Sequence, residues 1–215
     1  MKVYFDGCSW VIGEGLDNQR EQRFSKILCD RLGAEEKNVS YSGASNDRIV
    51  RNLLVENNIQ EFDLAVITMT FPARTEFYSL PPYKGWISVA PKYSFVDMIR
   101  RLSKKILEKE VVDTYNTPLA RLTDQKEFWN DYYRIVTTNE FFEMKEKIQK
   151  ITIESYCRDK GVPLVLCTIN PFTKEKFDLH INHEGLPLFD HGHPSEEGHR
   201  MIADDIHNYI LTRQQ

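Results

Sequence analysis

No run in the 215 residues is apolar over the length a membrane span requires. Cysteine is sparse. The four residues Cys8, Cys29, Cys157 and Cys167 form no C-x-x-C pair and no disulfide-like framework, which suits a reducing compartment. The first six residues carry one Lys and reach Asp6 without the apolar core of a secretory signal. A cytoplasmic protein is therefore expected. Positive charge is not in excess: 28 Lys and Arg stand against 32 Asp and Glu, a net of −4. That balance argues against a broad electrostatic grip on nucleic acid or an anionic membrane, so neither is expected as a partner. Internal repeats and low-complexity tracts are absent too. Gly13-Glu14-Gly15 completes neither of the glycine-rich phosphate-binding patterns.

What is present suits a packed globular chain. Apolar residues make up 41% and charged residues 28%, and twelve Phe, ten Tyr and three Trp supply a core. The length fits one domain, or one domain with a large insertion. Val3-Tyr4-Phe5 reads as a buried strand stopping at Asp6-Gly7. Phe24, Ile27, Leu28 and Leu32 share one helical face, ended by Gly33. Asn38 to Tyr41 offers a second strand, and Asn46 a cap for a helix that turns Ile49, Val50, Leu53 and Leu54 inward. Asp63 to Met69 is a continuous apolar run with β-branched residues, as in a parallel strand covered on both faces. A long helix is expected over Asn139–Asp159, with Phe142, Ile148, Ile151 and Tyr156 buried. Another strand follows over Val162–Thr168, then a last helix capped by Ser195 that buries Ile202, Ile206 and Ile210.

Strands thus alternate with helices, which implies an α/β fold of three layers, α/β/α, around a mainly parallel sheet. From about residue 75 to 137 the chain is instead rich in aromatics, proline and charge. It includes Pro81-Pro82-Tyr83 and a helical pattern through Phe95, Met98, Ile99, Leu102 and Ile106. No separate core is visible there, so residues 1–215 read as one domain with an insertion or lid. The aromatics of 77–95 and 128–133 suit the core of that insertion, or a surface that stacks on a substrate.

Functional groups of a parallel sheet gather at the carboxyl ends of its strands. The first such loop is Asp6-Gly7-Cys8-Ser9-Trp10-Val11-Ile12-Gly13, where a hydroxyl follows a buried strand at a Gly-flanked turn. The last is Asp190-His191-Gly192-His193-Pro194, just before the final helix. A carboxylate near an imidazole can orient the ring and stabilise its charged form, and the imidazole can then deprotonate a serine. Three other readings stand beside this one. Ser9 could be a plain turn or cap serine. The last loop could be a solvated polar loop. Asp190, His191, His193 and His199 could be metal ligands, although they complete no ligand motif.

The two loops together resemble the SGNH (GDSL-like) hydrolase family. Its first block, G-D-S-L-T-x-G, is matched by Gly7-Cys8-Ser9-Trp10-Val11-Ile12-Gly13, with Cys8 in place of the Asp. Its last block, D-x-x-H-P, is matched by Asp190-His191-Gly192-His193-Pro194. The likeness covers most of the chain outside the insertion, and is greatest to divergent forms from tailed phages and bacteria. It implies a flavodoxin-like sheet and a serine esterase. Ser9 would be the nucleophile, His193 the base and Asp190 its orienting partner, with no metal or cofactor. The substrate would be a small-molecule or carbohydrate ester. The resemblance also implies oxyanion donors at the Ser9 backbone and at Gly43, in Ser42-Gly43-Ala44. The third block, G-x-N-D, has no counterpart: Thr70-Phe71-Pro72-Ala73 stands there. Asn46, Thr68, Thr70 and Arg74 are the polar candidates for the missing donor, whose loss can cost ~3 kcal/mol of transition-state stabilisation. For Asn46 a helix cap is the structural alternative, and for Arg74 an ion pair with Glu76.

Overall fold

Alternate residues of the central strands feed two separate cores, one on each face of the sheet. A computed structural model describes residues 1–79, 85–91, 112–113, 132, 138–181, 185–190 and 192–213. The chain runs through β1 (Lys2–Asp6), α1 (Ser9–Ile12), α2 (Gln19–Gln22), α3 (Phe24–Leu32), β2 (Glu35–Asn38) and α4 (Asn46–Arg51). A π-helical turn over Asn52–Glu56 and a 3-10 turn over Ile59–Glu61 lead into β3 (Leu64–Met69). Then come β4 (Thr75–Ser79), β5 (Gly85–Pro91), β6 (Val112–Asp113), α5 (Asn139–Asp159), β7 (Leu164–Thr168), β8 (Leu179–His180) and α6 (Glu196–Arg213).

Five strands form one parallel sheet in the order β2-β1-β3-β7-β8, the doubly wound order of flavodoxin-like folds. Val3, Phe5, Val66, Val165 and Cys167 face the side covered by Phe24 and Leu28 of α3 and Ile202 and Ile206 of α6. Tyr4, Ala65, Ile67 and Leu166 face the side covered by Ile49 and Leu53, from α4 and the turn after it, and Ile153 and Cys157 of α5. All six residues of β3 are buried, which accounts for its unbroken apolar run. The chain reverses direction across the sheet between β1 and β3, and in such sheets the crevice for ligands opens at the carboxyl ends of those strands.

Several local expectations change. The second strand lies at Glu35–Asn38, earlier than Asn38–Tyr41, because it pairs in register with Lys2–Phe5. The cap of α4 is Ser45, whose hydroxyl accepts the Arg48 N–H at 3.2 Å, and Asn46 lies inside the helix. Leu54 is exposed. In α5, Ile148 and Ile151 face solvent, and the helix buries Glu146, Gln149, Ile153 and Cys157. The reason is polar. Gln149 donates to Asp47 at 2.6 Å, and Glu146 accepts from Asn170 at 2.9 Å and Thr173 at 2.7 Å. Burying these groups is favourable only when they are bonded, so α4 and the loop after β7 set which face of α5 turns inward.

Of the expected insertion, the described part is a small antiparallel sheet in the order β4-β5-β6. Arg51 ties it to α4: its guanidinium pairs with Glu76 at 2.9 and 3.1 Å and lies 4.7 Å from the Trp86 ring centroid. The helix expected through Phe95 to Ile106, the Pro81-Pro82-Tyr83 stretch and the aromatics at 128, 129 and 133 lie outside the described residues.

Candidate active site

β1 ends on a carboxylate with no exposure to water. Asp6 accepts the Gly7 N–H at 2.8 Å, the Asn52 amide at 3.0 Å and the Tyr4 hydroxyl at 3.2 Å, with Arg48 at 3.4 Å. Burial pushes its carboxyl up to about 7 despite the pull of Arg48 and these donors. The chain then turns tightly into α1. A Cβ on Gly7 would meet Val11 Cγ2 at 2.3 Å and the Thr68 carbonyl at 3.1 Å, so only glycine lets the first turn of α1 lie this close to β3. Cys8 is the N-cap residue, fully buried in the core, and Ser9 is the first residue of the helix. Ser9 is thus at a helix start and not at an extended strand end. Gly13, in the left-handed region at φ 83°, closes the helix, and the N–H groups of Gly13 and Glu14 both donate to the Ser9 carbonyl.

That closure aims Glu14 back across the strand ends. Its carboxylate accepts a hydrogen bond from Ser42 Oγ, next to Gly43, which adopts φ 72°. The same carboxylate oxygen lies 3.9 Å from His193 Nε2. Glu14 therefore joins the turn of Ser9, the turn of Gly43 and the loop of His193 in one corner of the molecule.

The His193 loop is a short, closed hairpin. Leu188 bridges Pro194, the Phe189 N–H donates to the His193 carbonyl at 2.8 Å, and the Ser195 N–H donates to the Pro187 carbonyl at 2.9 Å. Asp190 is exposed on this hairpin, and among the described residues no hydrogen bond or ion pair joins it to His193. Behind the loop, His199 is buried in α6. Its Nδ1 accepts the Phe24 N–H at 3.2 Å, and burial lowers its pKa to about 4, so it stays neutral beside His193. Gly198 lets the hairpin rest on α6, because a Cβ there would lie 2.5 Å from the Pro187 carbonyl oxygen. Gly198→Ala is expected to cost about 1–2 kcal/mol in urea denaturation, overpacking outweighing the gain in helix propensity. An equally stable or more stable variant would show that the hairpin yields freely.

The other candidate residues meet at the end of β3. Asn46 is fully buried and clasps the Thr70 backbone, donating to its carbonyl at 2.9 Å and accepting its N–H at 2.7 Å. The Thr70 hydroxyl is buried and has no hydrogen-bond partner among the described residues. Arg74 donates to the Ala44 carbonyl at 3.3 Å and packs over Phe71. Glu76, the expected partner of Arg74, is paired with Arg51 instead. No three His, Cys, Asp or Glu side chains gather as a metal site among the described residues, and His191 lies outside them. No described helix is long and apolar enough to cross a membrane.

Sequence reasoning missed Glu14, Ser42, Asp6, Arg48 and Asn52. Glu14 had one signal: Gly13 as a C-cap ends α1 after a single turn and ties the next residue's N–H back to the Ser9 carbonyl.

Solved structures are similar to this chain in fold. A carbohydrate esterase described as having divergent catalytic and non-catalytic binding functions matches over 98% of the chain, with a TM-score of 0.55 and 11% identity. The chain shares the fold of that carbohydrate esterase. The chain spans 64% of that carbohydrate esterase. A psychrotrophic esterase, EstA, from Pseudoalteromonas matches over 99% of this chain and 98% of its own, at TM-score 0.44 and 13% identity. A GDSL-like lipase from Bacteroides thetaiotaomicron matches over 99% and 88%, at 0.37 and 14%. No protein-family model matches the sequence, and no curated protein does.

Proposed function

We propose that the chain is a serine ester hydrolase acting on a small-molecule or carbohydrate ester through Ser9, His193 and Asp190. The observation that carries this reading is the meeting, through Glu14, of the Ser9 turn, the Gly43 turn and the His193 hairpin at the carboxyl ends of the strands. Ser9 Oγ attacks the ester carbonyl as His193 takes its proton. The tetrahedral oxyanion collapses, and the proton passes from His193 to the departing alcohol. Water, deprotonated by His193, then releases the acid and restores Ser9. Asp190 takes the orienting role once its side chain turns onto the ring, because no described hydrogen bond or ion pair joins it to His193 in this structure. The N–H groups of Ser9 and Gly43 bind the oxyanion. Thr70 supplies the third donor: it lies just past the carboxyl end of β3, and its hydroxyl, like that of Thr68 within the strand, has no hydrogen-bond partner among the described residues.

Hydrolysis of nitrophenyl acetate and of an acetylated oligosaccharide tests this reading. Turnover should persist in EDTA; its loss, with recovery on adding Zn²⁺, would make Asp190 and His193 ligands and overturn the mechanism. One observation favours a second reading, a binding protein that has lost catalysis: no described hydrogen bond or ion pair joins the exposed Asp190 to His193. Absence of turnover on both esters would decide for it. Faster release of the alcohol when sugar acceptors are added would instead indicate an acyltransferase.

A further inference from the structure

We infer that Glu14 is a positioning residue of this site, a second carboxylate that holds His193 toward Ser9 and favours its charged form. The inference rests on the hydrolase reading for its purpose, though not for its geometry. Three contacts carry it. The Glu14 N–H is bonded to the Ser9 carbonyl at 3.0 Å, so its backbone moves with the nucleophile's helix. Its carboxylate is bonded to Ser42. The same oxygen stands 3.9 Å from His193 Nε2. That spacing is beyond a hydrogen bond and within the range of a direct ion pair, so Glu14 acts by charge and does not take the proton.

The consequence follows from the reaction. When Ser9 gives its proton to His193 the ring becomes an imidazolium, and a fixed negative charge beside it lowers the cost of that state. The proton then leaves with the alcohol, and Glu14 ends unchanged. The other described titratable groups facing His193 are His199 from α6, which is neutral above about pH 4, and Asp190 on the same hairpin. Among the described residues, Glu14 is the carboxylate in ion-pair contact with the ring.

Two substitutions separate charge from scaffolding. Glu14→Gln keeps the length and the acceptor for Ser42 but removes the charge. Ser42→Ala keeps the charge and removes the anchor. Exposed and half-exposed ion pairs carry modest effects, so Glu14→Gln should lower kcat roughly two- to fivefold and move the acid limb of kcat/KM down by about half a pH unit. The NMR titration midpoint of the His193 ring, assigned with His193→Gln, should fall by the same amount, and 1 M NaCl should shrink the difference. Ser42→Ala should show a smaller shift in the same direction. A Glu14→Gln midpoint that coincides with that of the unsubstituted protein overturns the inference, even if kcat falls, because the role would then be scaffolding alone. A shifted midpoint in a protein that turns over no ester leaves the Glu14–His193 pairing standing and sinks the hydrolase reading instead.

Discussion

On the proposed mechanism, Ser9→Ala is expected to lower ester hydrolysis by a factor on the order of a thousand or more, since the members of a triad act as a unit. The neighbouring thiol makes this more than a formality, because a thiolate is intrinsically the better nucleophile. The structure separates the two side chains by role. Cys8 is the N-cap of α1, its carbonyl accepts the Val11 and Ile12 N–H groups, and its side chain has no exposure within the core that also holds Phe5, Val11 and Phe24. Ser9 starts the helix on the turn that Glu14 links to His193. Cys8→Ala should therefore keep substantial activity, iodoacetamide should inactivate slowly, and a fluorophosphonate should label Ser9. Label on Cys8, with Ser9→Ala still active, would transfer the nucleophile to the thiol.

The second large effect concerns stability. Asp6 titrates at about 7 in the folded chain against the usual 3.8. The folded state then holds a proton that the unfolded state has lost between pH 3.8 and 7. The stability tied to this proton is fully present below 3.8 and is lost as pH rises through about 7. Asp6→Asn removes this dependence. Measured by urea denaturation, the stability of Asp6→Asn relative to the unsubstituted protein should improve by roughly 2–3 kcal/mol from pH 5 to pH 8. Taking the difference between the two proteins cancels His199, whose depressed pKa works the other way, adding stability above 6.5 that is lost as pH falls toward about 4. A difference that stays constant across this range would mean that Arg48 and Asn52 hold Asp6 ionised throughout.

The expected α/β layering, the buried strands around Val66 and Val165, and the helices through Leu28, Ile153 and Ile206 were legible because a period of two or of 3.6 residues is a local property of the chain. The loops at positions 9, 43 and 193 were legible for a related reason: turn residues and reactive groups stand next to one another in the sequence. What escaped were pairings across long gaps. Ile148 and Ile151 looked buried by type, yet the hydrogen bonds of Gln149 to Asp47 and of Glu146 to Asn170 turn them to solvent. Asp6 looked like the polar end of a strand, and only the approach of Asn52 and Arg48 makes it the centre of a buried polar network. Asp190 stands three residues from His193 in sequence with no described hydrogen bond or ion pair to it, whereas Glu14, 179 residues away, comes within 3.9 Å of its ring. Local pattern sets which residues form strands, helices and turns, because that depends on near neighbours. Which carboxylate meets which imidazole depends on how the strand ends converge once the sheet is assembled, and that was decided by the tertiary structure alone.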